Sequence, residues 1–258
     1  YRALPNVRYQ AGNNNKRAFT LAVWHAVLTR RYAFAFSDHI NVASILAPLA
    51  LLRLIRYAVR VHLIEAVAPN PDAQGRIGLR GAWRIQASEF ARGEVLKAFP
   101  RLTIDIVPLS LNPDTYFDLP ASPAPSVMLP AVDGQTYRLG NSVILLVGRM
   151  AAAEQYKGQD VLIQSLSLIL QRCPDAQLVL AGQGDDFPRL RALAEALPAA
   201  VQAHMFMPGY VSSEQLENLY RTCAVYAMPS RGEGFGVVYL EAMRWAKSCV
   251  ASRADAAQ

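Results

Sequence analysis

The sequence predicts an α/β protein of two domains, each a parallel sheet covered by helices. After residue 140, apolar runs of strand length alternate with amphipathic stretches of helix length, and the same alternation occurs less regularly before residue 118. A proline-rich stretch separates the two parts. The length of 258 residues is sufficient for one large domain or two modest ones.

Residues 1–118 are predicted to form the first domain, a sheet of at least four strands with intervening helices. The strands are predicted at Tyr32–Phe36, Val59–Ile64, Arg84–Ala87 and Leu102–Pro108. An apolar helix is predicted between the first two strands, and Arg53, Arg56 and Arg60 form one stripe on it because they are spaced three and four apart. The stripe is either the solvated face of a core helix or a peripheral contact with anionic lipid headgroups.

The segment 119–140 is predicted to be an interdomain linker. Its first part, Leu119–Pro130, has four prolines and no charged residue, and residues 131–140 have little periodicity. Residues 141–258 are predicted to form the second domain. Its strands are predicted at Ser142–Gly148, Ala176–Gly182, Ala203–Met207, Cys223–Met228 and Ser248–Ala251. Ser212 and Gln215 have capping-box spacing, which predicts a helix that runs to about Arg221.

Composition excludes several classes of protein. Hydrophobic residues make up 52% and charged residues 18%, which excludes a disordered chain. The longest apolar run, Val42–Leu52, is shorter than the roughly 20 residues that cross a membrane, and no small-residue cleavage pattern follows the apolar stretch 18–28. A cytoplasmic protein is therefore expected. Three scattered cysteines (Cys173, Cys223 and Cys249) predict neither a disulfide framework nor a zinc site, but small apolar side chains in the core.

Charge is distributed unevenly along the chain. Residues 1–140 carry 16 Lys and Arg against 9 Asp and Glu, a net charge of +7, whereas residues 141–258 carry 10 against 11, a net charge of −1. This asymmetry is consistent with an acidic or membrane-bound partner for the first part, or simply with uneven solvated charge.

Two cations follow the first strand of the second domain. Arg149 comes directly after the strand and Lys157 shortly before the next helix, so both are expected at the ligand-binding edge of the sheet. Two cations at that edge suggest a polyanion such as a diphosphate. Taken alone, the pattern is better explained by a surface arginine and a helix-start lysine.

A glycine-rich loop follows the fourth strand of this domain. Residues 230–236 read Ser-Arg-Gly-Glu-Gly-Phe-Gly and open a helix, which places backbone N–H groups at its positive end. Glu233 lies in the loop and Glu241 eight residues later in the helix. Carboxylates repel a diphosphate, so these two are better suited to accept hydrogen bonds from sugar hydroxyls at its two ends. The loop therefore predicts a nucleotide-sugar site.

Four segments resemble the nucleotide-binding half of the family 4 glycosyltransferases, which have the GT-B fold. They are Gly148–Leu166, Leu178–Asp186, Phe206–Tyr220 and Pro229–Met243, and Glu233 to Glu241 fits the E-x7-E motif of the family. The resemblance implies two Rossmann-like domains whose parallel sheets face each other across a cleft. It further implies that the sequence is an interior portion of a longer enzyme, because the opening strand and closing helix of the family have no counterpart here.

The resemblance also implies roles for these residues. Arg149 and Lys157 would hold the donor diphosphate and Glu241 the ribose, while Glu233 and the backbone of Gly234, Phe235 and Gly236 would hold the transferred sugar and its phosphate. Tyr210 and Val211 would lie beside the base. Transfer would retain the anomeric configuration, with the departing diphosphate stabilised electrostatically. No D-x-D pair occurs, so no metal and no other cofactor is expected.

Two histidines of the first part lie in segments that resemble first-domain loops of the family. They are His39, in Asp38–Asn41, and His62, in His62–Glu65, where Leu63 replaces the usual glycine. The resemblance implies that one of them approaches the reacting sugar. A packed structural histidine is the alternative for either.

The function predicted is hexosyl transfer from a nucleoside-diphosphate sugar to a hydroxyl of a glycan or lipid-linked acceptor, as in polysaccharide biosynthesis. The base, the sugar and the acceptor stay open. A noncatalytic sugar-nucleotide-binding partner of another transferase is the alternative. A nicotinamide enzyme is disfavoured because Gly182-x-Gly184 lacks the third glycine of the dinucleotide motif, and nucleic acid is not an expected partner.

Overall fold

The computed structural model describes residues 15–30, 32–62, 73–80, 82–111 and 125–256. It divides the chain into two compact units, Tyr1–Pro108 and Leu109–Gln258. The predicted linker, 119–140, falls inside the second unit. None of the helices within the described ranges is both long and apolar enough to cross a membrane.

Unit 1 is a four-stranded parallel sheet with helices in the connections, as predicted. Its elements are α1 (Lys16–Arg30), β1 (Phe34–Ser37), α2 (Ile40–Ala43), α3 (Ala47–Leu51), β2 (Arg56–Arg60), α4 (Ala73–Gly78), β3 (Trp83–Gln86), α5 (Glu89–Ala98) and β4 (Asp105–Ile106). The strand order is β1-β2-β3-β4. Each predicted strand overlaps an observed one, although Ile64 lies outside the described residues.

The prediction that Arg53, Arg56 and Arg60 share a helix is wrong. Helix α3 ends at Leu51, and Arg53 adopts a left-handed backbone conformation with φ of 58°, which stops the helix. Arg56 and Arg60 are the first and last residues of β2, whose central residues are buried. These three arginines therefore form no helical stripe that supports the predicted contact with anionic lipid.

The described part of the predicted linker is a β-hairpin. Strands β5 (Met128–Pro130) and β6 (Thr136–Arg138) pair in an antiparallel manner around a turn in which Gly134 has φ of 85°. The hairpin is attached to the sheet of unit 2, because the N–H of Val132 donates to the carbonyl of Met205 at 2.9 Å. It therefore packs as part of unit 2.

Unit 2 contains a five-stranded parallel sheet with helices between the strands. Its elements are β7 (Val143–Val147), a 3₁₀ segment (Ala152–Lys157), α6 (Gln159–Arg172), β8 (Gln177–Ala181), α7 (Phe187–Glu195), α8 (Ala199–Gln202), β9 (Met205–Gly209), α9 (Ser213–Thr222), β10 (Val225–Met228), α10 (Val237–Arg244) and β11 (Ser248–Ala251). Each of these sheet strands overlaps its prediction, and β11 matches it residue for residue. The predicted capping box begins α9, with reciprocal Ser212 and Gln215 hydrogen bonds of 2.8 and 3.2 Å.

The core of unit 2 lies between the sheet and its helices. Leu145, Leu178 and Phe206 of the sheet and Ile163 and Leu166 of α6 are fully buried. Cys223 is buried with them, whereas Cys173 and Cys249 are half-buried, and all three are free thiols. The core holds the strand ends in fixed positions, from which the functional loops extend.

Strand order places a topological switch point in this sheet. The order is β11-β10-β7-β8-β9, so the chain proceeds outward from β7 on one side and then starts again at β10 on the other. The loops that leave the carboxyl ends of β7 and β10 consequently start on either side of this switch point. In open α/β sheets, ligands bind outside the carboxyl ends of the strands at such a point.

Candidate functional site

The two loops at the switch point are in direct contact. The N–H of Arg231 donates to the carbonyl of Tyr156 at 2.9 Å. Gly158 has φ of 78°, and a Cβ on it would lie 2.7 Å from the carbonyl oxygen of Pro229. A Cβ on Gly232 would lie 3.0 Å from the ring of Tyr156. The approach of Gly158 to the Pro229 backbone leaves room for glycine only, and Gly232 packs tightly on the Tyr156 ring, so the 3₁₀ segment and the glycine-rich loop are in close contact.

A third loop, which follows β8, packs against the first. A Cβ on Gly182 would lie 1.9 Å from the carbonyl oxygen of Gly148, and one on Gly184 would lie 2.1 Å from that of Met150. The N–H of Met150 donates to the carbonyl of Gln183 at 3.0 Å. Close backbone packing thus accounts for the glycine pair that was compared with a dinucleotide motif.

The two predicted cations meet at one buried carboxylate. Nη2 of Arg149 contacts Oε1 of Glu154, and Nζ of Lys157 lies 2.9 Å from Oε2 of the same residue. The side chain of Glu154 is 5% exposed, that of Lys157 17% and that of Arg149 68%. The structure therefore brings Arg149 and Lys157 together, with the more exposed guanidinium toward solvent.

Sequence reasoning missed Glu154, although its spacing to Lys157 was a usable signal. The two residues are three apart in the 3₁₀ segment, which is kinked at Glu154 (φ −120°, ψ 25°), and the Lys157 ammonium reaches the Glu154 carboxylate within this segment. Burial favours the neutral acid and would raise the pKa of Glu154, but the Arg149 and Lys157 cations outweigh it and hold that pKa below its ordinary value. Glu154 is therefore ionised at neutral pH.

Glu233 lies in the glycine-rich loop and is half-buried. Its N–H donates to Oδ2 of Asp255 at 2.8 Å, and its carbonyl accepts from the N–H of Ala256 at 3.2 Å. Burial raises the pKa of Glu233, Lys157 opposes the shift, and the negative charge of Asp255 adds to it. The buried Asp255 was not anticipated from the sequence, because no local pattern links it to a residue 22 positions earlier.

The loop then leads into α10. Gly234 and Phe235 follow Glu233, and Gly236, with φ of 81°, is the N-cap of the helix and supplies no side-chain cap. The ring of Tyr239 packs against Gly236, because a Cβ there would lie 2.5 Å from it.

Glu241 lies within α10 and is half-buried. The hydroxyl of Tyr220, a buried residue of α9, donates to Oε2 of Glu241 at 2.8 Å. Burial, with the neighbouring Tyr226 and Glu241, raises the pKa of Tyr220, so the phenol stays protonated and remains a donor. Tyr220 was also missed, since its contact spans two helices.

Tyr210 and Val211 follow β9, two strands away from β7 at the same edge of the sheet. Tyr210 is 80% exposed, and Val211 is half-buried. Both line a cavity of about 250 Å³ together with residues of the hairpin and of α9, among them Met128 and Gln215. The side chain of Tyr210 is thus available to a ligand.

In unit 1, His39 and His62 line one cavity of about 750 Å³ whose other walls include Phe19, Val23 and Phe36. Nδ1 of His39 accepts from the N–H of Asn41 at 3.2 Å, which caps α2. Nε2 of His62 lies 2.8 Å from the carbonyl oxygen of Asp38.

The carboxylate of Asp38 joins this end of the cavity to β2. Its Oδ1 lies 3.4 Å from Nε2 of His62 and 2.9 Å from Nη1 of Arg60. Arg60 therefore pairs with an acid in unit 1. Within the described ranges, no three side chains of His, Cys, Asp or Glu are grouped to hold a metal ion.

Comparison with known proteins identifies the group to which the chain is related. The family model "Glycosyl transferases group 1" matches residues 141–258, the part that carries the switch point. Phosphatidyl-myo-inositol mannosyltransferase of Mycobacterium tuberculosis H37Rv is 33% identical over 174 residues, covering 67% of this chain and 41% of that protein. Residues 141–258 therefore belong to the group 1 glycosyl transferases, and the fold is of the GT-B type.

Further relatives agree with this assignment. A GDP-mannose-dependent alpha-(1-6)-phosphatidylinositol monomannoside mannosyltransferase of Mycolicibacterium smegmatis is 29% identical over 66% of this chain and 44% of its own length. The structure of Anabaena Alr3699/HepE with UDP-glucose has a TM-score of 0.69 at 17% identity, covering 93% of this chain and 64% of that one. The chain spans less than half the length of these mannosyltransferases.

Proposed function

We propose that this GT-B chain is part of a retaining hexosyltransferase that uses a nucleoside-diphosphate sugar and a hydroxyl acceptor on a glycan or lipid-linked molecule. One observation carries the proposal. At the switch point of unit 2, the Arg149 and Lys157 cations lie beside the glycine-rich loop that contains Glu233 and leads into the helix of Glu241. The cations suit the diphosphate of such a donor, and the two carboxylates suit its hydroxyl groups.

The diphosphate is assigned to the cations and to the N-terminal end of α10. Arg149 and Lys157 supply charge-assisted hydrogen bonds, and Phe235 and Gly236 supply backbone N–H donors. The backbone of Gly234 is hydrogen-bonded to the carboxyl of Glu233 and helps to position it. No metal ion is assigned a role in this proposal.

The two glutamates are assigned to hydroxyl groups on either side of the diphosphate. Oε2 of Glu241 accepts from Tyr220, and its carboxylate retains acceptor capacity for the ribose hydroxyls. Glu233 is assigned to the hydroxyls of the transferred sugar, and Tyr210 and Val211 to the base. A contact of His39 or His62 with the reacting sugar stays a prediction.

In the proposed reaction, the bond between the anomeric carbon and the diphosphate oxygen breaks while the acceptor oxygen bonds to the same face of that carbon. The acceptor proton passes to the departing diphosphate, so no covalent enzyme intermediate is needed. Fixed positive charge at the leaving group supplies the main stabilisation of the transition state. This is a task that Arg149 and Lys157 are positioned to perform.

The acceptor class is inferred from the relatives. The two mannosyltransferases described above are named for phosphatidylinositol acceptors, which supports an acceptor hydroxyl on a lipid-linked molecule. One of these two names mentions GDP-mannose, and the HepE structure contains UDP-glucose, so both bases stay candidates for this site.

Titration calorimetry of the chain with UDP-, GDP- and ADP-sugars tests the donor site. We expect selective binding of one nucleotide sugar, a loss of binding in Glu241→Ala, and a roughly 10- to 150-fold weaker affinity in Arg149→Ala, as expected for one charge-assisted contact. Arg172→Ala, which removes an exposed arginine at the far end of α6, is the matched control. Failure of all three nucleotide sugars to bind would overturn the proposal.

A further inference from the structure

Glu154 has no part in the donor roles above, although it is a deeply buried acid that contacts both of the proposed diphosphate-binding cations. Its two carboxylate oxygens face different cations, Oε1 toward Arg149 and Oε2 toward Lys157. We propose that Glu154 is a positioning residue that fixes both cations in a diphosphate-binding arrangement before the donor arrives. The inference rests on the proposed donor site and adds to it a residue that touches no substrate.

Burial makes this carboxylate an effective anchor. An ionised carboxylate removed from water is costly unless it is paired, and removing one partner of a buried pair leaves the remaining charge uncompensated. Glu154 therefore holds its two cations more firmly than an exposed acid would. A surface pair of the same composition contributes little because both side chains are free to move.

The segment that carries Glu154 is itself fixed at several points. The N–H of Ala152 donates to Oδ1 of Asp185 at 2.8 Å, and Nε2 of Gln155 donates to Oδ1 of Asp186 at 3.0 Å. At its end, Gly158 packs against the backbone of Pro229. The carboxylate thus has a defined position from which to orient Arg149 and Lys157.

Both cations keep hydrogen-bond donors for a ligand while they contact Glu154. A guanidinium carries five N–H groups and an ammonium three, and the contact with Glu154 leaves donors over on each. The side chain of Arg149 is 68% exposed, which leaves it accessible to a ligand. Preorganised donors of this kind bind an anion without first losing conformational freedom.

The opposite role, a carboxylate that competes with the diphosphate for the cations, makes the opposite prediction. Removing a competitor would raise the net positive charge of the site and tighten the binding of anions. Removing a positioning residue would weaken it. Glu154→Gln distinguishes the two, because it removes the charge but retains an acceptor oxygen of nearly the same size.

The experiment is calorimetric titration of UDP and UMP, and of GDP and GMP, into the wild-type chain, Glu154→Gln and Glu154→Asp. We expect Glu154→Gln to weaken binding of the preferred diphosphate about tenfold, which corresponds to ~1.4 kcal/mol, and to change monophosphate binding less than twofold. Glu154→Asp keeps the charge and loses reach, so we expect a smaller loss in the same direction; it also serves if the glutamine variant does not fold. Glu195→Gln, which removes the acid of the exposed Arg191 pair on α7, is the matched control.

Unchanged or tighter diphosphate binding in both Glu154 variants would overturn the inference, and so would an equal loss for diphosphate and monophosphate. A wild-type chain that binds neither UDP nor GDP would instead overturn the proposed donor site, and the inference with it. The two failures are distinguished by the wild-type titration alone.

Discussion

The backbone N–H of Glu233 donates a 2.8 Å hydrogen bond to Oδ2 of Asp255, a residue that is 1% exposed. This bond joins the glycine-rich loop after β10 to the loop after β11. On its other side, the same loop is joined to the 3₁₀ segment through Arg231 and Tyr156. The carboxylate proposed to hold the transferred sugar is therefore supported from both neighbouring strand ends.

Asp255→Asn should lower the pKa of Glu233. Burial is the main cause of the raised pKa of Glu233, and the negative charge of Asp255 raises this pKa further. Removing that charge should therefore lower the pKa. Asparagine retains an oxygen to accept from the N–H of Glu233. Carbon-13 NMR titration of the glutamate carboxyls, with Glu233→Gln to assign the resonance, measures the shift, and an unchanged or higher pKa would contradict the assignment of Asp255.

Glu154 and Glu233 should affect the free energy of unfolding with opposite dependence on pH. The pKa of Glu154 is lowered on folding, so its contribution is present above its unfolded value near 4.5 and is lost as pH falls through the folded pKa. The pKa of Glu233 is raised, so its ionisation costs stability as pH rises from about 4.5 through the folded pKa.

Melting temperatures of Glu154→Gln and Glu233→Gln between pH 3 and pH 8 test this difference. The melting temperature of Glu154→Gln, measured relative to that of wild type, should be lower at pH 7 than at pH 3. For Glu233→Gln, the melting temperature relative to wild type should be higher at pH 7 than at pH 3. Each variant controls for the other, since both replace an acid by the same amide. Parallel pH profiles would show that one of the two shifts has the wrong sign.

Gly158→Ala should destabilise unit 2 and separate the two loops of the switch point. The residue has φ of 78°, and the added Cβ would meet the carbonyl oxygen of Pro229 at 2.7 Å, so the cost is about 1–3 kcal/mol. Gly93→Ala is the control, because Gly93 is an exposed position within α5 with open space around it. There alanine should stabilise by about 0.5–1 kcal/mol.

Urea denaturation followed by circular dichroism measures both changes in free energy of unfolding, and calorimetry with UDP and GDP measures the effect on the site. We expect Gly158→Ala to bind the nucleotides more weakly than wild type and Gly93→Ala to bind them as wild type does. Equal behaviour of the two variants would mean that the close approach of Gly158 to Pro229 contributes nothing.

Features that depend on nearby residues were predictable from the sequence. Strand β11 and the capping box of Ser212 and Gln215 follow from apolar runs and from a three-residue spacing, both of which are local patterns. The helical stripe of arginines failed because spacing alone is ambiguous. Arg56 and Arg60 are four apart, and residues four apart share a face in a strand as well as in a helix.

The groups that support the site were not predictable in the same way. Asp255 acts on a residue 22 positions earlier, and Tyr220 on one 21 positions later, so only the assembled sheet brings them together. Glu154 is closer in sequence to both of its partners. Its burial could not be predicted from the sequence, and burial is the property that lets Glu154 hold the two cations in position.

Tyr220→Phe should impair the ribose side of the proposed donor site. The Tyr220 hydroxyl donates to Oε2 of Glu241 at 2.8 Å, and without it the carboxylate is free to adopt other rotamers. A hydrogen bond to a charged group contributes about 1.5–3 kcal/mol, so stability should fall by up to that amount. We expect the Kd for UDP or GDP to rise about tenfold, or ~1.4 kcal/mol.

Tyr137→Phe provides the comparison. Its hydroxyl donates to Oδ2 of Asp133 at 2.7 Å, so the same atom is removed from the same type of bond, and neither residue lines the cavity of Tyr210 and Val211. Both variants should lose stability on thermal denaturation, but only Tyr220→Phe should bind the nucleotide more weakly. If the two variants bind UDP and GDP equally well, Glu241 is not held by Tyr220 in the conformation that the ribose requires.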